Sequence, residues 1–180
     1  MFKKIILAIL SFALILTPNG ASASSHAKSL QNLGMEEIMF AQMMIPHHEQ
    51  AISMSEIALK KSHNQGILKL SRQINNLQSS EKSQLTYWLK ATDSSMTMDH
   101  DMHMSGMLTT AELTSLKRQS GTAFDRTFLQ LMIKHHQGAI EALGLISDSS
   151  NMEAMALSKA IKSAQGKEIA TMKLLLKKIK

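Results

Sequence analysis

Two kinds of donor-bearing segment stand out in the 180-residue chain. The first, Met96 to Met107, reads MTMDHDMHMSGM and places Met96, Met98, Met102, Met104 and Met107 beside His100, His103, Asp99 and Asp101, with no large aliphatic residue before Leu108. Thioether sulfur is a soft, uncharged ligand that selects Cu(I), and imidazole serves both copper oxidation states. The mixture, in a flexible Gly/Ser-punctuated loop, therefore suits copper better than magnesium or calcium. The plainer account is a disordered linker with an adaptable, sticky methionine surface. Interleaved histidines add nothing to stickiness but complete a metal site. The loop is expected to be dispensable for the fold, so that exchanging its five methionines for serine leaves the helices intact.

The second kind is the pattern Met-x-x-His-His, which occurs twice: Met44, His47, His48 and Met132, His135, His136. Spacings of three and four put each methionine on the same helical face as its histidines, close enough to share an ion. Met39, Met43, His47 and Met54 also fall within a narrow arc of one helix, a stripe of sulfur beside imidazole. Core packing accounts for Met39 and Met54 taken alone. It does not account for an adjacent histidine pair that recurs behind the same methionine, because packing would accept leucine or phenylalanine there. Met43 and Met54 are retained as further candidate ligands of the first copy; the matching positions of the second are Leu131 and Ala142.

The two copies belong to an internal repeat that also defines the scaffold. FAQMMIPHHEQAI, from Phe40, lies over FLQLMIKHHQGAI, from Phe128. After one residue is dropped, Leu70, Ser71, Ile74, Gln78, Glu81 and Leu89 fall on Leu157, Ser158, Ile161, Gln165, Glu168 and Leu176. Strand signals are nearly absent: valine is missing and Ala, Leu, Met, Lys, Glu and Gln dominate. Helices are predicted over 36–61, 65–90, 122–147 and 152–178, with a short extra helix that begins at a Thr109/Glu112 capping box and stops near Gly121. Pro46 should kink or restart the first helix. Asp148-Ser149-Ser150-Asn151 is a turn. Two tandem hairpins (36–90 and 109–178) joined by the Met/His-rich linker 91–108 make an all-α four-helix bundle.

Residues 1–23 read as a cleavable signal peptide: Lys3 and Lys4, the apolar run IILAILSFALIL, then Ala21-Ser22-Ala23. The run is shorter than a permanent membrane helix needs, with an uncleaved N-terminal anchor as the lesser alternative, so a single domain, 24–180, is expected in the periplasm or outside the cell. Without the two lysines, 18 basic residues face 14 acidic ones. That excess, with Lys173, Lys177, Lys178 and Lys180 at the negative end of the last helix, indicates neither nucleic acid nor lipid binding. The chain has no cysteine, which excludes cysteine-ligated zinc, iron–sulfur and blue-copper sites. Methionine binds without losing a proton and forms no disulfide, an advantage for meeting copper outside the cytosol. His26 and His63 read as a residue near the mature start and a turn residue.

MMIPHHEQAI, and SGTAFDRTFLQLMIKHHQGAI preceded by LTTAELTSLKRQ, resemble the domain-of-unknown-function family numbered 305. These are ferritin-like bundles that include the CopM-type periplasmic copper-binding proteins, and the likeness spans about residues 36–177 in two copies. The resemblance implies export, a four-helix bundle and a role in copper binding and resistance. It marks Met44, His47, His48, Met132, His135 and His136 as ligands, with Asp125 and Glu37 as acidic positions without an assigned role. Lys134 departs from it, standing where proline is common.

A ferritin-like metal-dependent oxidase is the enzyme alternative, but no Glu-x-x-His of the di-iron type occurs. A metal-free interaction bundle is the third. The expectation is a binding protein and not an enzyme, one that sequesters or hands on Cu(I), and Ag(I) as its surrogate, to a copper exporter, sensor or other periplasmic copper protein. Cu(II) at His26, Asp99, His100, Asp101 and His103 stays open, as does zinc at the His/Asp part of the loop.

Overall fold

The computed structural model describes residues 32–98 and 104–179. The expected signal peptide, His26, and the linker residues Asp99, His100, Asp101, Met102 and His103 lie outside the described residues. Those described form five α-helices and no strand: α1 (Met35–Lys61), α2 (Gln65–Ala91), α3 (Thr110–Arg118), α4 (Gly121–Ala142) and α5 (Met152–Lys178), with a 3-10 turn at Leu143–Leu145. None is long and apolar enough to cross a membrane.

Local sequence explains most helix ends. Asn64 accepts hydrogen bonds from the amides of Gly66 and Ile67 at the start of α2, and Asn151 does the same for Glu153 and Ala154 at the start of α5. The amide of each asparagine in turn donates to a serine two residues earlier, Ser62 or Ser149. The repeat thus extends to a Ser-x-Asn turn that satisfies amides the helix leaves free. The Thr109/Glu112 box opens α3 as expected. Gly121 does not end it. α3 stops at Arg118, and Gly121, at φ +57°, is the first residue of α4, a backbone conformation that glycine adopts without strain. α4 ends at Ala142, short of residue 147, where the chain tightens into the 3-10 turn. Pro46 sits inside α1 without restarting it.

The core falls into two apolar clusters. One gathers Phe40, Ala41 and Met44 of α1, Leu85, Trp88 and Leu89 of α2, Ala139 of α4, and Ala154, Leu157 and Ile161 of α5. The other gathers Ala51, Met54 and Ala58, then Ile67, Leu70 and Ile74, then Phe124, Phe128, Leu129 and Met132, and Met172. α1 and α5 therefore run from the first cluster to the second, and α2 and α4 run back. Because α2 and α4 are parallel, the connection between them must return along the length of the bundle. One such long crossover is the ferritin-like form of a four-helix bundle.

That crossover is the Met-rich linker, and its described residues lie along α1 and α4. The Gln42 side chain donates to the carbonyls of Ser95 and Thr97 at 2.9 and 3.3 Å. Gln50 clamps Leu108 twice, donating to its carbonyl at 3.0 Å and accepting from its amide at 2.7 Å. Farther along, Lys61 donates to the carbonyl of Gln119. At Gly138 the approach leaves no room for a side chain: a Cβ there would stand 1.8 Å from the Ser105 carbonyl oxygen. Gly106, at φ +83°, also lies tight over the backbone of Lys134 and His135: a Cβ there would stand 2.6 Å from the Lys134 carbonyl oxygen. Met104 and Leu108 are each only 5% exposed. The expectation of a loop independent of the fold is therefore overturned for its second half, where burying two such side chains contributes roughly 1.5–3 kcal/mol each.

Candidate metal centre

Between the two apolar clusters lies a layer of polar side chains to which each long helix gives two: His47 and His48 from α1, Gln78 and Glu81 from α2, His135 and His136 from α4, Gln165 and Glu168 from α5. The repeat makes it: Gln78 and Glu81 match Gln165 and Glu168 as the first histidine pair matches the second. All four histidines are fully buried. Met44 stands one turn to one side of the layer, in the first cluster, and Met132 one turn to the other, in the second. The Met-x-x-His-His spacing marks the histidines and methionines; the glutamines and glutamates carry no such signal beyond their match in the repeat.

At the centre, the rings of His47 and His135 meet with centroids 3.6 Å apart and planes inclined at 32°. None of their four ring nitrogens makes a well-formed hydrogen bond; backbone groups at Ser105 and at His47 lie near the His47 and His135 rings and oppose the burial effect only weakly. Buried polar atoms without partners are uncommon because each forfeits its hydration for nothing, at a cost of about 1–3 kcal/mol. Burial, and then the charge of His48 and His136, push the His47 ring down to about 3. Burial first, then neighbouring histidines, hold His135 well below the ordinary range. Both imidazoles are therefore neutral at physiological pH, the form that binds a metal without first losing a proton.

The outer pair is organised differently. His48 Nε2 lies 2.8 Å from Glu81 Oε2 and His136 Nε2 lies 2.7 Å from Glu168 Oε2, whereas Nδ1 of each ring has no partner. A carboxylate on one ring nitrogen fixes ring orientation and tautomer and makes the other nitrogen a better donor, the arrangement that accompanies metal-binding histidines. Among the described residues no three His, Asp or Glu side chains are grouped to hold a metal by themselves. Further donors stand one turn to either side of the layer, the thioethers of Met44 and Met132. Imidazole and thioether suit a soft monovalent ion, and the layer's two carboxylates, Glu81 and Glu168, are engaged with His48 and His136.

The remaining predicted ligands are dispersed. Met54 is fully buried among the second cluster's side chains, and Met43 is half-buried against the first. Met104 is in the first cluster and Met107 packs against it, while Met96 is 41% exposed and Met98 half-buried. Glu37 is a bundle-end residue: its carboxylate accepts from the Gly34 amide and from the Ser149 hydroxyl of the other hairpin's turn. It sits about 15 Å along α1 from His47. Lys134, the departure from the family pattern, reaches Glu112 at 3.1 Å and ties α4 to α3, a role proline cannot fill.

The two depressed histidines carry a pH signature. Their folded values lie below that of an unfolded imidazole, so the unfolded chain binds more protons and the metal-free fold weakens as pH falls through about 6.5 toward 3. The limiting slope is about 1.4 kcal/mol per pH unit for each ring. Chemical denaturation of the metal-free protein at pH 7, 6 and 5 should show this loss, and a variant with His47 and His135 both changed to leucine should show less of it.

Residues 37–176 match the family model described as domain of unknown function (DUF305). Among solved structures the chain is similar to a DUF305 protein from Streptomyces coelicolor, at 25% identity and a TM-score of 0.75 over 79% of this chain and 93% of that one. It is also similar to a DUF305 fragment from Deinococcus radiodurans, at 28% identity and a TM-score of 0.74 over 81% and 97%. A third is CopM in its Cu(I)-bound form, at 28% identity and a TM-score of 0.66 over 79% and 96%; CopM is also solved with Cu(II) and with silver. No curated protein sequence matches the chain.

Proposed function

The chain belongs to the DUF305 family, and we propose that it is an exported protein whose cargo is Cu(I), with Ag(I) as surrogate, held at the histidine layer and sequestered or handed on. It binds the ion and transforms no substrate. The observation that carries this reading is the His47–His135 contact: two neutral, fully buried imidazoles without a well-formed hydrogen bond, flanked by thioethers and backed by two His–Glu pairs. The likeness to CopM, solved with copper and with silver bound, points to a copper-related role. Export rests on the first 23 residues, and copper resistance is the use to which such a binder would be put.

The test is a competition for Cu(I) against a chromophoric chelator under reducing conditions. With His47, His48, His135 and His136 all changed to alanine, the number of ions bound should fall. An unchanged number would place all binding in the linker and end the proposal for the layer.

A further inference from the structure

We infer that the ion reaches the layer through the groove between α2 and α5, with Glu168 as the last donor before the histidines. This rests on the reading that the layer holds the cargo, and adds how the cargo arrives. Two observations on opposite faces of the bundle carry it. Over α1 and α4 the way is shut: Ser105 and Gly106 lie against the backbone at Gly138, Lys134 and His135, closer than a methyl group would permit, and Gln50 pins Leu108 by two hydrogen bonds. Across the bundle, α2 and α5 leave a groove of about 670 Å³ lined by Leu70, Gln73 and Leu77 on one side and Ala164, Lys167 and Glu168 on the other.

Glu168 belongs to both groove and layer, since its carboxylate lines the one and bonds His136 at 2.7 Å in the other. Its side chain is 12% exposed, against 7% for its counterpart Glu81, and Glu168 lines the groove where Glu81 does not. Beside the lining residues Leu77 and Ala164 stand Gln78 and Gln165, each 1% exposed, and neither carboxamide has a partner for its oxygen or its nitrogen. An ion moving inward thus meets carboxylate and amide oxygens, which attract a cation but hold Cu(I) weakly, and then imidazole and thioether, which hold it well. A donor series that strengthens inward draws the ion in without trapping it at the mouth. Lys167 is the one lining charge that opposes a cation there.

Stopped-flow transfer of Cu(I) from a chromophoric chelator, on the full chain at low ionic strength, tests this. The layer's contribution is the phase absent from the variant carrying His47→Ala and His135→Ala; if the native protein has no such phase, the proposed function fails, not the route. Given that phase, Ala164→Trp, which fills the groove, should slow it at least tenfold with its amplitude unchanged. Lys167→Glu, an exposed charge reversal that leaves packing alone, should quicken it several-fold, and added salt should erase the gain. Gln50→Ala, which loosens the linker, should leave the rate as it was. A rate indifferent to Lys167→Glu, or quickened by Gln50→Ala, would overturn the route through α2 and α5 and put the way in beneath the linker.

Discussion

With His47 and His135 both replaced by leucine, the metal-free protein is expected to melt higher than the native one and to lose cuprous binding at the middle of the bundle. The two effects have one cause. Each native ring keeps two nitrogens out of water without a well-formed hydrogen bond, and each such group costs about 1–3 kcal/mol. Leucine is of similar bulk and brings no polar atom, so it fills the space without that cost. After allowance for imperfect repacking, a net gain of roughly 2–4 kcal/mol is expected. For a domain of this size that is a rise of about 5–15 °C in melting temperature. Alanine in the same places would open a cavity and give the opposite sign. A leucine variant less stable than the native protein would mean that packing selected these rings. A gain in stability together with a loss of binding is what a site maintained at the fold's expense produces.

The other large effect is expected at Gly138. Alanine there would put a methyl group 1.8 Å from the Ser105 carbonyl oxygen, with the Gly106 amide behind it at 2.8 Å. Both neighbours are backbone, so the linker must lift. Lifting it exposes Met104 and Leu108 and breaks the clamp of Gln50 on Leu108. The loss should be about 2–4 kcal/mol. Its location can be read separately from its size: the Leu108 amide, bonded at 2.7 Å to Gln50, should exchange its hydrogen slowly in the native protein and rapidly in Gly138→Ala, while amides in the middle of α2 and α5 change little. If Leu108 stayed protected, the strain would have been absorbed elsewhere and the linker would not be the seal described above.

Much of this arrangement could be read from residue spacing because it is made of local signals repeated twice. Four long helices, two hairpins and the paired histidines follow from helical periodicity and from the match of Phe40 onward with Phe128 onward. The signal for the rest of the layer was present but quieter. Along α2 the buried positions run Ile67, Leu70, Ser71, Ile74, Gln78, Glu81, Leu85, Trp88 and Leu89; three polar residues interrupt an apolar stripe, and the same three recur in α5 as Ser158, Gln165 and Glu168. A polar interruption that survives in both copies marks a core position with a polar partner. Which partner it meets is decided by how the hairpins dock, and that is a non-local fact. The linker was harder still. Its composition resembles a free loop, and its packing depends on a departure from the repeat: Gly138 where the first copy has Gln50. One side supplies the clamp and the other the clearance, and neither residue announces this alone.

Anomalous diffraction at the copper edge, from crystals of the protein loaded with Cu(I) under reducing conditions, addresses the central claim most directly. A copper peak should lie between α1 and α4 at the level of His47 and His135, within bonding distance of imidazole nitrogen and of sulfur from Met44 or Met132. Copper confined to the linker methionines, with the four histidine rings as they stand in the metal-free fold, would contradict it.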